Sequence, residues 1–146
     1  MLFRSRASEV GAEAVSLEAL LKESDIVTIH VPLRPETRGL IGEKEIALMK
    51  PGAVLINTAR GAIVSQAALF EALSKGQLGG AGLDVYDEEP LPMDHPLRRL
   101  DNVVLLSHRG YATVEILRER YEAAMENILS FLDGKPANLL NPEVLT

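Results

Sequence analysis

The segment AVLINTARGAIVSQAALFEALSKG, residues Ala53 to Gly76, decides the fold. Its opening, Ala53 to Asn57, is almost wholly apolar and lacks the polar alternation of a half-exposed strand. The pattern predicts a strand buried on both faces, as in parallel sheets. Gly61 follows Arg60 and lets the backbone turn sharply. Ser65 is placed to cap a helix running from Gln66 to Lys75, which Gly76 ends.

Working outward, three further runs repeat the strand signal: Ile26 to Val31, Ala81 to Val85 and Val103 to Leu106. A helical pattern from Glu43 to Met49 stops before Pro51. A last helix is expected to start after Thr113 and run to about Asp133, where Gly134 and Pro136 stop it. Leu117, Tyr121, Ala124, Met125, Ile128 and Leu132 give that helix one apolar face. Strand and helix alternate, which predicts an α/β fold. Parallel strands carry their functional loops at their carboxyl ends, and His30, Thr58 to Arg60, Asp84 to Glu89 and His108 all fall there, within reach of one cleft.

Three of these residues suit one chemistry. The guanidinium of Arg60 can hold a substrate carboxylate through a two-point hydrogen bond. The imidazole of His108 can give a proton to a carbonyl oxygen, and Glu89 can keep that ring charged and oriented. Each also has a plainer reading. Arg60 could pair with a loop carboxylate at the surface, and a lone histidine after a strand is more often structural. Asp84 could cap a turn, and Asp87 and Glu88 read as solvated loop charges. His30 and His95 are expected in structural or peripheral roles.

Composition removes several function classes. The chain has 146 residues, 47% of them hydrophobic, enough for one buried core. A net charge of -6 without a basic cluster argues against nucleic-acid or anionic-membrane partners. There is no cysteine, and the three histidines are well separated, so no metal site is expected. No signal-peptide core or membrane-length apolar run is present, and a cytoplasmic protein is expected.

Five stretches taken together, SDIVTIHVPLRPETRGLI, MKPGAVLINTARGAIV, ALFEALSKGQLGGAGLDVYDEEPLP, HPLRRLDNVVLLSH and FLDGKPANLLNPEVL, resemble the NAD-dependent D-2-hydroxyacid dehydrogenases. The resemblance covers nearly the whole chain. It implies hydride transfer between a nicotinamide cofactor and a D-2-hydroxy acid or its 2-oxo acid, with Arg60, Glu89 and His108 as catalytic residues. It also implies cofactor contacts from His30, Val31, Pro32, Thr37, Thr58, Ala59, Arg60, Asp84, His108 and Gly110, with Asp84 meeting the nicotinamide carboxamide. Two features depart from the commoner family pattern around His108: Ser107 stands where proline is usual, and Arg109 and Tyr111 replace smaller or apolar residues. A cation beside His108 disfavours its protonation.

No G-x-G-x-x-G turn is present. The expected fold is therefore a partial Rossmann-type doubly wound sheet, with the first βαβ unit and most of the substrate domain missing. Residues 1–112 would be the C-terminal part of the NAD-binding domain, and residues 113–146 a long helix and tail leading back toward the substrate domain. The residues that choose NAD over NADP follow the second strand of such a domain and lie outside this sequence, so NAD is expected with NADP open. The complete enzyme would be a homodimer. In the strand order 3-2-1-4-5-6, Ile26 to Val31 is assigned to strand 3 and Ala53 to Asn57 to strand 4. Two absent strands would then separate them, leaving a mid-sheet gap and an aggregation-prone edge at Ala53 to Asn57, while the missing glycine-rich turn would leave NAD binding poor. Two other readings stand beside the enzyme: an NAD(H)-sensing binding protein of the corepressor type without turnover, and a nonfunctional gene fragment.

Overall fold

The computed structural model describes residues 7–145. The chain divides into two compact units, Met1–His108 and Arg109–Thr146. The first is a sheet of four parallel strands, β1 (Ile26–Ile29), β2 (Val54–Asn57), β3 (Gly80–Leu83) and β4 (Val103–Leu105), in that spatial order. Helices α1 (Leu17–Glu23), α2 (Glu43–Leu48) and α3 (Gln66–Ser74) connect or precede them.

Local chemistry sets the helix limits. Ser65 accepts a hydrogen bond from the Ala68 N–H at 3.4 Å and opens α3, while Gly76 at φ 68° follows its last turn. At α2 the Glu45 carboxylate reaches back to the Gly42 N–H at 3.0 Å, satisfying a donor the helix itself cannot. Helix α1, which the sequence reading did not delimit, starts at Ser16, whose hydroxyl accepts from the Ala19 N–H at 3.1 Å. The Gln77 amide donates to Ile46 O at 3.2 Å and so ties the end of α3 to α2.

The register places Val27, Leu55, Ala81 and Val103 in one row across the sheet, and Ile29, Asn57, Leu83 and Leu105 in a second. Both rows face the core built from Leu21, Ile46, Leu69, Leu73 and their neighbours. Each fully buried leucine or isoleucine there contributes about 1.5–3 kcal/mol over its exposed state.

Two expectations from the sequence are corrected. Strand β1 pairs directly with β2 along its whole length, so no gap separates Ile26 to Ile29 from Val54 to Asn57, and β2 has a partner on both sides. The crossover through α2 returns the chain to the neighbouring position, as a single-helix connection between parallel strands does. The outer edges among the described residues belong to β1 and β4. The strands are also not buried on both faces. Ile26, Val104 and Leu106 alternate with the core rows, point to the other side of the sheet and are 61%, 65% and 51% exposed, no helix among the described residues of this unit covering them.

The second unit is built on α4 (Val114–Leu132), opened by the Thr113 hydroxyl accepting from the Ile116 N–H and followed by Gly134 at φ 68°. Its expected apolar residues are there, and all are exposed within this helix. The Arg120 guanidinium sits 4.5 Å from the Tyr111 ring centre. After the helix the chain is fastened back onto it, with Ala137 N–H donating to Ser130 Oγ at 3.2 Å and Asn138 Nδ2 to Asn127 Oδ1 at 2.8 Å. No helix among the described residues is long and apolar enough to cross a membrane.

Candidate active site

The carboxyl end of β2 is organised by one polar side chain inside an apolar strand. Asn57 is 2% exposed, donates from Nδ2 to Arg60 O at 2.9 Å, and accepts at Oδ1 from the Ala59 N–H at 3.0 Å. Both ends of the buried amide are used, as burial requires. The hydrogen bonds close residues 57–60 into a turn that presents Thr58 and Arg60 at the surface. Arg60 is extended, and its Nη1 donates to Ala59 O at 2.6 Å.

Gly61 then brings this turn against the loop that follows β3. A Cβ at Gly61 would lie 2.0 Å from the Tyr86 carbonyl carbon and 2.6 Å from Asp87 N. Only a residue without a side chain allows this approach of two backbones. Through that contact the Arg60 turn is pressed onto the segment leading to Glu89.

The loop after β3 is anchored at several points. Asp84 is 4% exposed, its N–H donates to Asn57 O at 3.0 Å, and its carbonyl accepts from the His108 N–H at 2.8 Å. The Tyr86 hydroxyl lies 2.6 Å from Leu106 O and 3.0 Å from Leu83 O, and donates its one proton across the ends of β3 and β4. Burial, with the nearby Asp84 charge, pushes the Tyr86 phenol up and keeps that donor protonated.

Glu89 and His108 are in direct contact, Oε2 to Nδ1 at 2.7 Å, with Glu89 Oε1 accepting from the Tyr86 N–H at 3.0 Å. Burial raises the Glu89 carboxyl, but the hydrogen bonds from His108 and Tyr86 N–H and the His108 charge outweigh it and hold Glu89 below the ordinary carboxylate value, against opposition from Asp84. His108 adopts φ 58°, in the left-handed region that side chains other than glycine enter at a cost. Its backbone bond to Asp84 and its ring bond to Glu89 hold it there. With Nδ1 committed to the carboxylate, Nε2 is the ring nitrogen left to exchange a proton with a bound molecule. The two side chains are 43% and 34% exposed, half-open to solvent.

Beside Arg60 lies an open hollow of about 400 Å³, lined also by His30, Val31, Pro32, Leu33 and Ala59. His30 Nε2 meets Thr28 Oγ1 at 2.9 Å. The Thr37 hydroxyl donates to Pro32 O at 2.7 Å and accepts from the Arg34 N–H at 2.8 Å, so it braces the loop from within. Gly110 belongs to the second unit. His95 accepts from the Leu97 N–H through Nδ1 at 3.2 Å and caps the short turn Pro96–Arg99. The sequence reading passed over Asn57, Gly61 as a contact, and Tyr86. Asn57 had a signal, being the polar residue in a strand otherwise apolar. Tyr86 had none, since its bonds join strands far apart in sequence.

Comparison with known proteins adds an independent finding. Residues 3–110 match the family "D-isomer specific 2-hydroxyacid dehydrogenase, NAD binding domain". A glyoxylate reductase of Thermococcus litoralis is 52% identical over 139 residues, which are 94% of this chain and 42% of that protein. The TT0316 protein from Thermus thermophilus superposes with a TM-score of 0.80 at 48% identity, over 88% of this chain and 41% of its own. D-lactate dehydrogenase with NAD+ from Lactobacillus jensenii gives 0.79 at 34% identity, over 90% and 43%. The chain thus spans about two fifths of the length of the relatives it matches.

Proposed function

Because the chain belongs to the D-isomer specific 2-hydroxyacid dehydrogenase family, through that family's NAD-binding domain, we propose that it forms part of an enzyme interconverting a small 2-oxo acid of the glyoxylate class and its D-2-hydroxy acid. The observation that carries this is the Glu89–His108 pair at 2.7 Å, set beside the Arg60 turn at the carboxyl ends of parallel strands. The similarity to glyoxylate reductase supports the substrate class.

The hollow at His30, Val31, Pro32, Ala59 and Arg60 has the mixed apolar and polar lining that suits the nicotinamide end of NAD. Thr58 and Asp84, which follow β2 and β3, and Thr37, whose hydroxyl holds Pro32 O and Arg34 N–H, are the further residues proposed to meet the cofactor, with His108 and Gly110. A pyrophosphate needs the glycine-rich turn and helix N-terminus that this sequence lacks, so this chain by itself should bind NAD weakly. When bound, the cofactor supplies the hydride. Arg60 swings from Ala59 O to grip the substrate carboxylate with its planar fork. His108 donates the Nε2 proton to the carbonyl oxygen during reduction and takes it back during oxidation. Glu89 holds the ring by Nδ1 and stabilises its charged form.

The tail after Thr113 would lead to a substrate domain, and the complete enzyme would be a cytoplasmic homodimer. The test is NADH consumption by the full-length protein with glyoxylate, hydroxypyruvate and pyruvate. Turnover that disappears in His108→Ala supports the reading. Tight NADH binding without turnover on any 2-oxo acid would replace it with the sensing role.

A further inference from the structure

Gln66 is the first residue of α3 and stands outside the Arg60, Glu89 and His108 set, yet it touches the loop that carries Glu89. Its Oε1 accepts from the Asp87 N–H at 3.1 Å. Its Nε2 lies 2.7 Å from His95 Nε2. Asp87 is also the residue whose N atom faces Gly61, so the peptide between Tyr86 and Asp87 is gripped on one side by the Arg60 turn and on the other by Gln66. One residue upstream, the Tyr86 N–H holds Glu89 Oε1 at 3.0 Å.

We infer that Gln66 is a positioning residue: braced by His95, it fixes the Tyr86–Asp87 peptide and through it the Glu89 carboxylate against His108. The inference rests on the proposed function for Glu89's importance, but the geometry it asserts is independent of turnover.

The bracing has a chemical signature. Gln66 has a single amide oxygen, and with that oxygen on Asp87 N–H its NH₂ donates to His95 Nε2. His95 must then carry its proton on Nδ1, which conflicts with Nδ1 accepting from the Leu97 N–H at 3.2 Å. Turning the amide over satisfies His95 and strands Asp87. A carboxylate at position 66 removes the conflict, because one oxygen can accept from Asp87 N–H and the other from His95 Nε2–H. Gln66→Glu is therefore the conservative variant that keeps the brace, and Gln66→Leu the one that removes it.

The experiment uses the 146-residue chain labelled with ¹³C and ¹⁵N. Exchange of the Asp87 amide reports the hydrogen bond, and the pH titration of the Glu89 side-chain carboxyl carbon reports its placement. Amides of Leu55 and Ala81 in the central strands serve as controls for the fold. In Gln66→Leu the Asp87 amide is expected to exchange about tenfold faster, the loss of one hydrogen bond. The Glu89 midpoint should rise toward the ordinary carboxylate value as its contacts with Tyr86 N–H and His108 loosen. Asp84 and the His108 charge also face Glu89 and are untouched by the substitution. Gln66→Glu should keep the slow Asp87 exchange of the parent, and it is read by exchange alone because its added carboxylate, like Asp84, acts on Glu89 directly.

If the leucine variant loses the control protection, His95→Asn carries the test, since asparagine still caps Leu97 and removes only the outer brace. A smaller rise in the Glu89 midpoint is then expected. A Glu89 midpoint that stays at the parental value in a folded Gln66→Leu or His95→Asn chain overturns the inference. Should that midpoint move while the full-length His108→Ala enzyme retains parental turnover, the positioning role stands and the proposed function falls.

Discussion

Replacing Gly61 by alanine tests the packing that joins the two halves of the site. The added Cβ would sit 2.0 Å from the Tyr86 carbonyl carbon, whereas ordinary contact begins at 3.4 Å, so the loop must retreat by 3.4 − 2.0 = 1.4 Å. The obstacle is backbone on both sides, and no rotamer change can absorb it. Overpacking of this kind costs about 1–3 kcal/mol. The retreat also strains the Tyr86 N–H to Glu89 and Asp87 N–H to Gln66 bonds, at about 1 kcal/mol for each one lost. A total of about 3 kcal/mol corresponds to a fall in Tm of about 10 °C for a chain of this size. Thermal unfolding followed by circular dichroism measures it. Gly82→Ala is the control: its Cβ meets only the Ile56 side chain, Cγ1 at 3.8 Å and Cγ2 at 3.9 Å, both ordinary contacts, and should leave Tm unchanged or raise it, since alanine is favoured over glycine in a strand by about 0.5–1 kcal/mol. A Gly61→Ala chain melting within about 2 °C of the parent would refute the close-approach argument.

In the full-length enzyme, His108→Ala should lower turnover by about 10²–10⁴ while leaving cofactor binding largely intact, and near-parental turnover would remove His108 from the mechanism. Arg60→Lys should mainly weaken use of the 2-oxo acid, because a point charge cannot reproduce the planar two-point contact, and unchanged substrate kinetics would defeat that role. Glu89 has a folded-state pKa below its ordinary 4.5, so its contribution to stability is present above that value and is lost as pH falls through the lowered one. Glu89→Gln should therefore flatten the acid limb of a Tm against pH curve, and an unaltered limb would show that Glu89 is not a source of it. Asn57→Ala should cost about 1–3 kcal/mol by stranding the Arg60 carbonyl and the Ala59 N–H, read as a lower midpoint in urea.

The sequence by itself determined the alternation of strand and helix and which loops gather at one end of the sheet. Those features follow from signals local to a few residues. The Ser65 and Thr113 hydroxyls and the Gly76 and Gly134 stops act within one helical turn, and both helices begin and end where those residues stand. The proposal of Arg60, Glu89 and His108 as site residues likewise came from their flanking residues, which carry the family resemblance. Tertiary structure alone decided the neighbour of β1, which depends on where the α2 crossover returns the chain, and no residue in the strand records its partner. It also decided that Ile26, Val104 and Leu106 stay exposed on one side of the sheet. An apolar strand looks the same in sequence whether a helix covers it or not. The coupling of the site is of the same kind: Asn57 to Arg60, Gly61 to Tyr86 and Gln66 to Asp87 are contacts between segments whose separation in sequence or whose backbone geometry hides them. The last two exist because the parallel pairing of β2 and β3 brings the segments that follow those strands together.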